Sequence, residues 1–298
     1  MRRVWFLLSL LAGIALFSGL ALAQVTPPLM PPTPPPPPPV DLDHFRCYFI
    51  PNQPVLNIPI MLQDQFDAAL PTPQSWENIN QLTLGRICAT VYKHNYNTNK
   101  DYPQYNPNHH LTMYQINPQP IIPRWVWAVD QFYPGAHLLE VSDARFLLVP
   151  TGKVLLPSTT PPSPSPDLDH YKCYQACDAL SNVPVRLKDQ FYLEGVTTLW
   201  PVLFCNPVVK VRPPAPTTPI QKPNDHLTCY ATTPSAFPGL PNPNNPNGGI
   251  YIWNQFEKGP KTVQKPDLLC VPTTKWAWTP VPAPAGTTTA AASVKPTK

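Results

Sequence analysis

Four histidines, His44, His110, His170 and His226, each stand three residues ahead of a cysteine or methionine. Each is followed further along the chain by a short acidic or amide motif: Asp64-Gln65-Phe66, Asp130-Gln131-Phe132, Asp189-Gln190-Phe191 and Asn254-Gln255-Phe256. Imidazole beside carboxylate is the material of metal centres and general acid–base pairs. The fourth copy argues against both, because an amide cannot exchange protons, whereas it accepts a backbone hydrogen bond as well as a carboxylate does. The Asp or Asn side chains, with Gln65, Gln131, Gln190 and Gln255, are therefore expected to satisfy backbone groups where strands turn. The chain contains no G-x-S-x-G, H-E-x-x-H, phosphate-cradling glycine loop or calcium-loop spacing. No catalytic, cofactor-binding or metal residue is assigned, and an enzyme of unrecognised type stands as the alternative.

These residues belong to a fourfold repeat. LDHFRCY at 42–48 returns as LDHYKCY at 168–174, and two looser copies open at His110 and His226. From the first marker (Cys47, Met113, Cys173, Cys229) to the glutamine the spacings are 18, 18, 17 and 26. From the glutamine to the second marker (Cys88, Leu148, Cys205, Cys270) they are 23, 17, 15 and 15, so two insertions account for most of the irregularity.

The local pattern is alternation, which places residues two apart on one face of a strand. Phe45, Cys47 and Phe49 share one face and His44, Arg46 and Tyr48 the other. The cysteine face is expected inside, and the His, Arg/Lys/Thr, Tyr face outside or at an interface. In VPVRLKDQF the set Val185, Leu187, Asp189 and Phe191 opposes Arg186, Lys188 and Gln190. No long apolar helical period appears, which predicts an all-β protein.

Proline divides the chain. Residues 24–40, including PPLMPPTPPPPPP, and residues 156–166 are expected to be stiff proline-rich linkers, and 279–298 a tail unable to order itself. Between them lie 41–155 (repeats 1 and 2) and 167–278 (repeats 3 and 4), expected as two tandem antiparallel sandwich-like or barrel-like domains, each a pseudo-twofold pair.

Residues 1–23 carry two arginines, an apolar run and an Ala-Leu-Ala ending, the pattern of a cleaved secretory signal; an uncleaved anchor is the alternative. The mature chain is expected to be secreted, periplasmic or on the cell surface, with no membrane span. Losing Arg2 and Arg3 would lower the formal charge from +4 to +2, and no basic run remains to bind nucleic acid.

An exported chain oxidises the cysteines that meet. Where the second repeat replaces its first cysteine by Met113 it also replaces its second by Leu148, so the two positions are lost together. This pairs Cys47 with Cys88, Cys173 with Cys205 and Cys229 with Cys270, although spacing leaves a crossover between repeats 3 and 4 open. Met113 and Leu148 should fill the same buried space. The first block should tolerate reduction better than the second. Cys177 is left unpaired, and is expected to be a buried thiol in preference to a disulfide-linked dimer contact or a reactive group.

The order of motifs resembles an uncharacterised domain family of exported bacterial proteins, recognisable by DH-x-x-CY, DQF, LCNPV-x-K, HL-x-CY, NQF and LCVPS. The best matches are FCNPVVK (204–210), HLTCY (226–230), NQF (254–256) and LCVPTTK (269–275). The chain departs from the pattern at Ala89-Thr90 and in the second repeat's missing cysteines. The resemblance implies an exported repeat architecture and no catalytic residue. The polar, tyrosine-rich stretch 93–110 and six tryptophans (Trp76, Trp125, Trp127, Trp200, Trp253, Trp276) offer carbohydrate stacking as an alternative use to ordinary core packing. The expected function is an exported structural, adhesion or binding module without cofactor, its partner a cell-surface or extracellular polymer.

Overall fold

Alternating apolar residues cannot all be buried by an open sheet, because its edges leave backbone groups unpaired. In the computed structural model this chain solves the problem by closing. The structure describes residues 27–31, 33, 35–68, 76–237 and 249–281. The leader, most of the loop at 238–249 and most of the tail lie outside the described residues.

Repeat 1 supplies β1 (Phe45–Phe49), β2 (Val55–Leu56), β3 (Ile60–Gln63), a one-turn helix α1 (Gln65–Ala68), β4 (Glu77–Ile79), β5 (Leu82–Thr90), β6 (Tyr92–Asn95) and β7 (Lys100–Tyr102). Repeat 2 supplies β8 (His110–Gln119), β9 (Arg124–Val129), β10 (His137–Pro150) and β11 (Gly152–Leu155). Repeat 3 supplies β12 (Tyr171–Cys177), β13 (Val183–Lys188), β14 (Leu193–Pro207) and β15 (Val209–Val211). Repeat 4 supplies β16 (His226–Thr232), β17 (Ile250–Trp253), β18 (Lys258–Lys261) and β19 (Pro266–Pro280).

Two strands from each repeat form a ring. The order is β1-β5-β8-β10-β12-β14-β16-β19, every neighbour antiparallel, and β19 returns to pair β1 through Phe45 opposite Cys270. An eight-stranded barrel has an interior just wide enough for side chains to fill. Here the filling is Phe45, Leu111, Leu227 and Leu268 with the marker residues of all four repeats.

The marker residues sit directly opposite one another in register. Three pairs are disulfides: Cys47–Cys88, Cys173–Cys205 and Cys229–Cys270, with Cα separations of 3.9, 4.0 and 3.9 Å. The connectivity left open for repeats 3 and 4 is thus within each repeat. Met113 faces Leu148 at the fourth position, and both are fully buried. Two of the disulfides touch, with Cys47 Sγ 3.8 Å from Cys270 Sγ. Each bridge spans 41, 32 or 41 residues, a loop size for which closure contributes about 4 kcal/mol.

The ring corrects the two-domain expectation. Residues Pro28–Val281 form one compact body, and strands of the two blocks pair at β10–β12 and at β1–β19. The physical reason is edge pairing: two repeats give four barrel strands, which leave two open edges, and the other block covers both. The segment 156–166 is consequently a strap rather than a spacer. Gly152 is required beneath it, because a Cβ there would collide with the Pro162 carbonyl oxygen.

The outer face of the ring is not solvent-facing. Tyr48, Tyr114, Tyr174 and Tyr230 project from it and are fully buried by short satellite strands. In every case the strand that follows a repeat's second marker pairs with the strand ahead of the Asx-Gln-Phe motif two repeats away. β6 pairs β13, β11 pairs β17, β15 pairs β3, and the end of β19 pairs β9. The tyrosine-rich stretch 93–110 accordingly begins as a hairpin, β6–β7, stitched to repeat 3.

Cys177 is exposed rather than buried. It shares the parity of Cys173, but β12 runs beyond the packed interior, where Gln175 on the same face is exposed too.

Candidate functional site

Each Asx-Gln-Phe motif is an Asx turn. The side-chain oxygens of Asp64, Asp130, Asp189 and Asn254 accept the backbone N–H of Phe66, Phe132, Phe191 and Phe256 at 2.8, 2.8, 2.7 and 2.8 Å. Each also accepts the next N–H, from Asp67, Tyr133, Tyr192 or Glu257. This is the backbone role expected for these residues, in four equivalent settings.

The second oxygen reaches across the barrel wall to the tyrosine of the repeat two places away. Tyr48, Tyr174 and Tyr230 donate to Asp189, Asp64 and Asp130, each at 2.7 Å. Where the acid is Asn254 the direction reverses, and its amide donates to the Tyr114 hydroxyl at 2.8 Å. Tyr114 then needs another acceptor and finds Glu257 at 2.7 Å. The adjoining phenylalanine packs edge-on against the same tyrosine in all four places.

A further residue completes the pattern. Lys93, Lys153, Lys210 and Lys275 stand five positions after Cys88, Leu148, Cys205 and Cys270. Each ammonium lies over the motif phenylalanine of the next repeat: Phe132 at 4.6 Å, Phe191 at 4.3 Å, Phe256 at 6.0 Å and Phe66 at 4.7 Å from the ring centre. The last step runs from repeat 4 to repeat 1, so the interlock is cyclic. Burial drives these lysines down from their ordinary value, Lys93 to about 6, Lys153 to about 7, and Lys210 and Lys275 to about 8.

The repeated histidines lie beside the same lysines. Burial, and secondarily the lysine of the same repeat, holds His44, His110 and His226 well below the ordinary imidazole range and His170 at about 3. They are neutral at pH 7. For the histidine and lysine of each odd repeat, the glutamine of the following even repeat bridges the two: Gln131 contacts Lys93 and His44, and Gln255 contacts Lys210 and His170. Gln65 instead donates to the Pro223 carbonyl, and Gln190 lines an open groove. Among the described residues no group of histidine, cysteine and acid is arranged to hold a metal ion.

The lysines are not among the residues expected from the sequence to form the site. Their constant offset from the second marker was the available signal, visible in FCNPVVK and LCVPTTK, but a single lysine in a polar strand usually means a solvated side chain.

A twofold pattern overlies the fourfold one. At the position before the first marker, Arg46 pairs with Glu194 of repeat 3, and Lys172 reaches Asp67 at 2.7 Å and Glu77 at 2.8 Å in repeat 1. Repeats 2 and 4 place Thr112 and Thr228 there, bonded to Thr151 and Thr273. Asp43 and Asp169 likewise cap the loops entering repeats 2 and 4, each accepting two backbone N–H groups. His109 replaces the corresponding aspartate in repeat 2 and lies buried between Asp43 at 2.8 Å and Asp167 at 3.1 Å.

Two features break the symmetry. One is an open groove of about 610 Å³ beside the β6–β7 hairpin, lined by Tyr92, Gln104, Arg186, Lys188, Gln190 and Leu193. The other is the tryptophan set: Trp76, Trp200 and Trp253 are exposed and Trp125 is buried, but none of the six lines the groove.

Fold and interlock define a class, a closed antiparallel barrel assembled from four repeats. A family model described as a repeat of unknown function, DUF7450, matches residues 110–238. The match opens at His110, the start of the second repeat, and runs through 156–166 into the fourth. No curated protein and no solved structure matches the chain.

Proposed function

We propose that the protein is an exported, non-enzymatic structural module. The observation that carries this reading is the recurrence of one interlock in all four repeats, including the repeat where Asn254 replaces the acid. A catalytic centre requires one cleft with a distinct set of perturbed groups, whereas these groups are distributed around a ring and buried in its wall. Internal disulfides and the leader-like residues 1–23 support export. Cell fractionation tests it: the oxidised chain, starting near Gln24, is expected outside the cytoplasm. Recovery of uncleaved, reduced protein inside the cell would sink the reading.

The groove favours a more specific use, the binding of an extracellular polymer such as a polysaccharide. Arg186 and Lys188 point away from Leu187 and offer donors to a polyhydroxylated chain. On glycan arrays the double variant Arg186→Ala, Lys188→Ala should lose retention at least about tenfold; equal retention by both proteins, or none by the parent, removes this use. Cys177, the exposed thiol, is available for a disulfide-linked dimer. Such a dimer would vanish on non-reducing gels in Cys177→Ser.

A further inference from the structure

Repeat 3 alone carries an amide directly after its second cysteine. The equivalent positions are Ala89, Val149 and Val271, whereas repeat 3 has Asn206, which is fully buried. Its amide nitrogen donates to Asp64 Oδ2 at 3.0 Å, and its amide oxygen accepts from Lys275 Nζ at 3.3 Å. Phe66 walls the lysine at 4.7 Å, and Asp64 is held in place by the Tyr174 hydroxyl at 2.7 Å and the Phe66 N–H. A lysine, a buried primary amide and a carboxylate on that amide's nitrogen are the three groups needed to form an amide bond between side chains.

We propose that Lys275 and Asn206 join through an intramolecular isopeptide bond, with Asp64 carrying the proton. The amine, having lost its ammonium proton to solvent, attacks Cγ of Asn206, and a new C–N bond forms. Asp64 takes the proton released from Nζ and delivers it to Nδ2. The Cγ–Nδ2 bond then breaks and ammonia leaves, restoring the Asp64 carboxylate. No oxidant or cofactor is consumed. Burial that favours the neutral amine of Lys275, at about 8, assists the attack.

The bond would differ in kind from the three disulfides. Each disulfide lies within one repeat, whereas this link would tie β14 of repeat 3 to β19 of repeat 4 and would survive reduction. The inference goes beyond the structural-module reading and does not depend on it.

Intact mass spectrometry of the whole mature chain, reduced and with its cysteines alkylated, tests it. The expected result is a tryptic species joining the peptides that contain Asn206 and Lys275, about 17 Da, one ammonia, lighter than their sum; cyclisation of an N-terminal Gln24 removes the same mass from the intact alkylated chain but joins no peptides. Lys275→Arg keeps the charge, removes the nucleophile and should abolish the joined species, leaving the intact chain about 17 Da heavier than the parent after allowing for the lysine-to-arginine difference. A parent protein at full mass overturns the proposal. So does a loss of about 18 Da, one water, mapped to the neighbouring Lys172 and Asp67.

Discussion

The four interlock lysines should make stability depend on pH in an unusual direction. Lys153 shows it most simply, because its ammonium is buried over Phe191 with no hydrogen-bond partner among the described residues. Its value falls from 10.5 in the free side chain to about 7 in the fold, so the unfolded chain binds more protons between those limits. Below pH 7 both states are charged and the fold bears the full desolvation cost; as pH rises towards 10.5 that cost disappears. Lys93, at about 6, adds a contribution of the same sign that begins lower. Thermal or urea unfolding followed from pH 6 to pH 10 is expected to show stability rising across the alkaline range. Lys153→Met, which keeps the stem and removes the amine, should flatten that slope and raise stability at pH 7 by about 1–2 kcal/mol. An unchanged slope would show that the amine is solvated.

At the scale of the strand, the empty disulfide position of repeat 2 offers a direct experiment. Met113 and Leu148 oppose each other in register as the cysteine pairs do, inside the same barrel. Met113→Cys with Leu148→Cys is expected to oxidise to a fourth bridge and to stabilise the fold by up to about 4 kcal/mol. Peptide mapping without reductant checks the bond and chemical denaturation its effect; persistence of two free thiols would show that the register here differs. These elements were legible in the sequence because their signals are local. Alternation around Cys47 and Cys229 gives the strand faces, and the joint loss at Met113 and Leu148 gives the pairing. Asn254 in place of an acid gives the Asx turns. Partners across repeats were not legible, since no spacing records that β6 finds β13 or that β19 reaches β1. The exposure of Cys177 was missed for a related reason: parity says which face a residue occupies but not where the barrel ends.

For the molecule as a whole, closure of the ring makes the blocks interdependent. A chain limited to residues 41–155 would leave β1 and β10 as bare edges and would lose the acceptors of Tyr48 and Tyr114, which are Asp189 and Glu257. It is expected to aggregate or remain unfolded, whereas residues 28–281 should unfold in one cooperative transition by circular dichroism and tryptophan fluorescence alike. A soluble, folded half would show that the blocks are autonomous. The same closure removes the basis for expecting the first block to tolerate reduction independently.

The seam between β1 and β19 also sets how the protein would bear a load. It joins the first strand of the ring to the last, with Phe45 opposite Cys270, so tension applied at residues 28 and 281 peels these two strands apart one rung at a time. Peeling stops quickly on both sides, because Cys47 is anchored to β5 and Cys270 to β16. From there the force path leaves the backbone and crosses the sulfur bridges, and the segments they enclose, with separations of 41, 32 and 41 residues, stay shut. Residues 89–172 and 206–228 lie outside every bridge, so such a chain extends by that length and then stiffens, as a tether fitted with stops would.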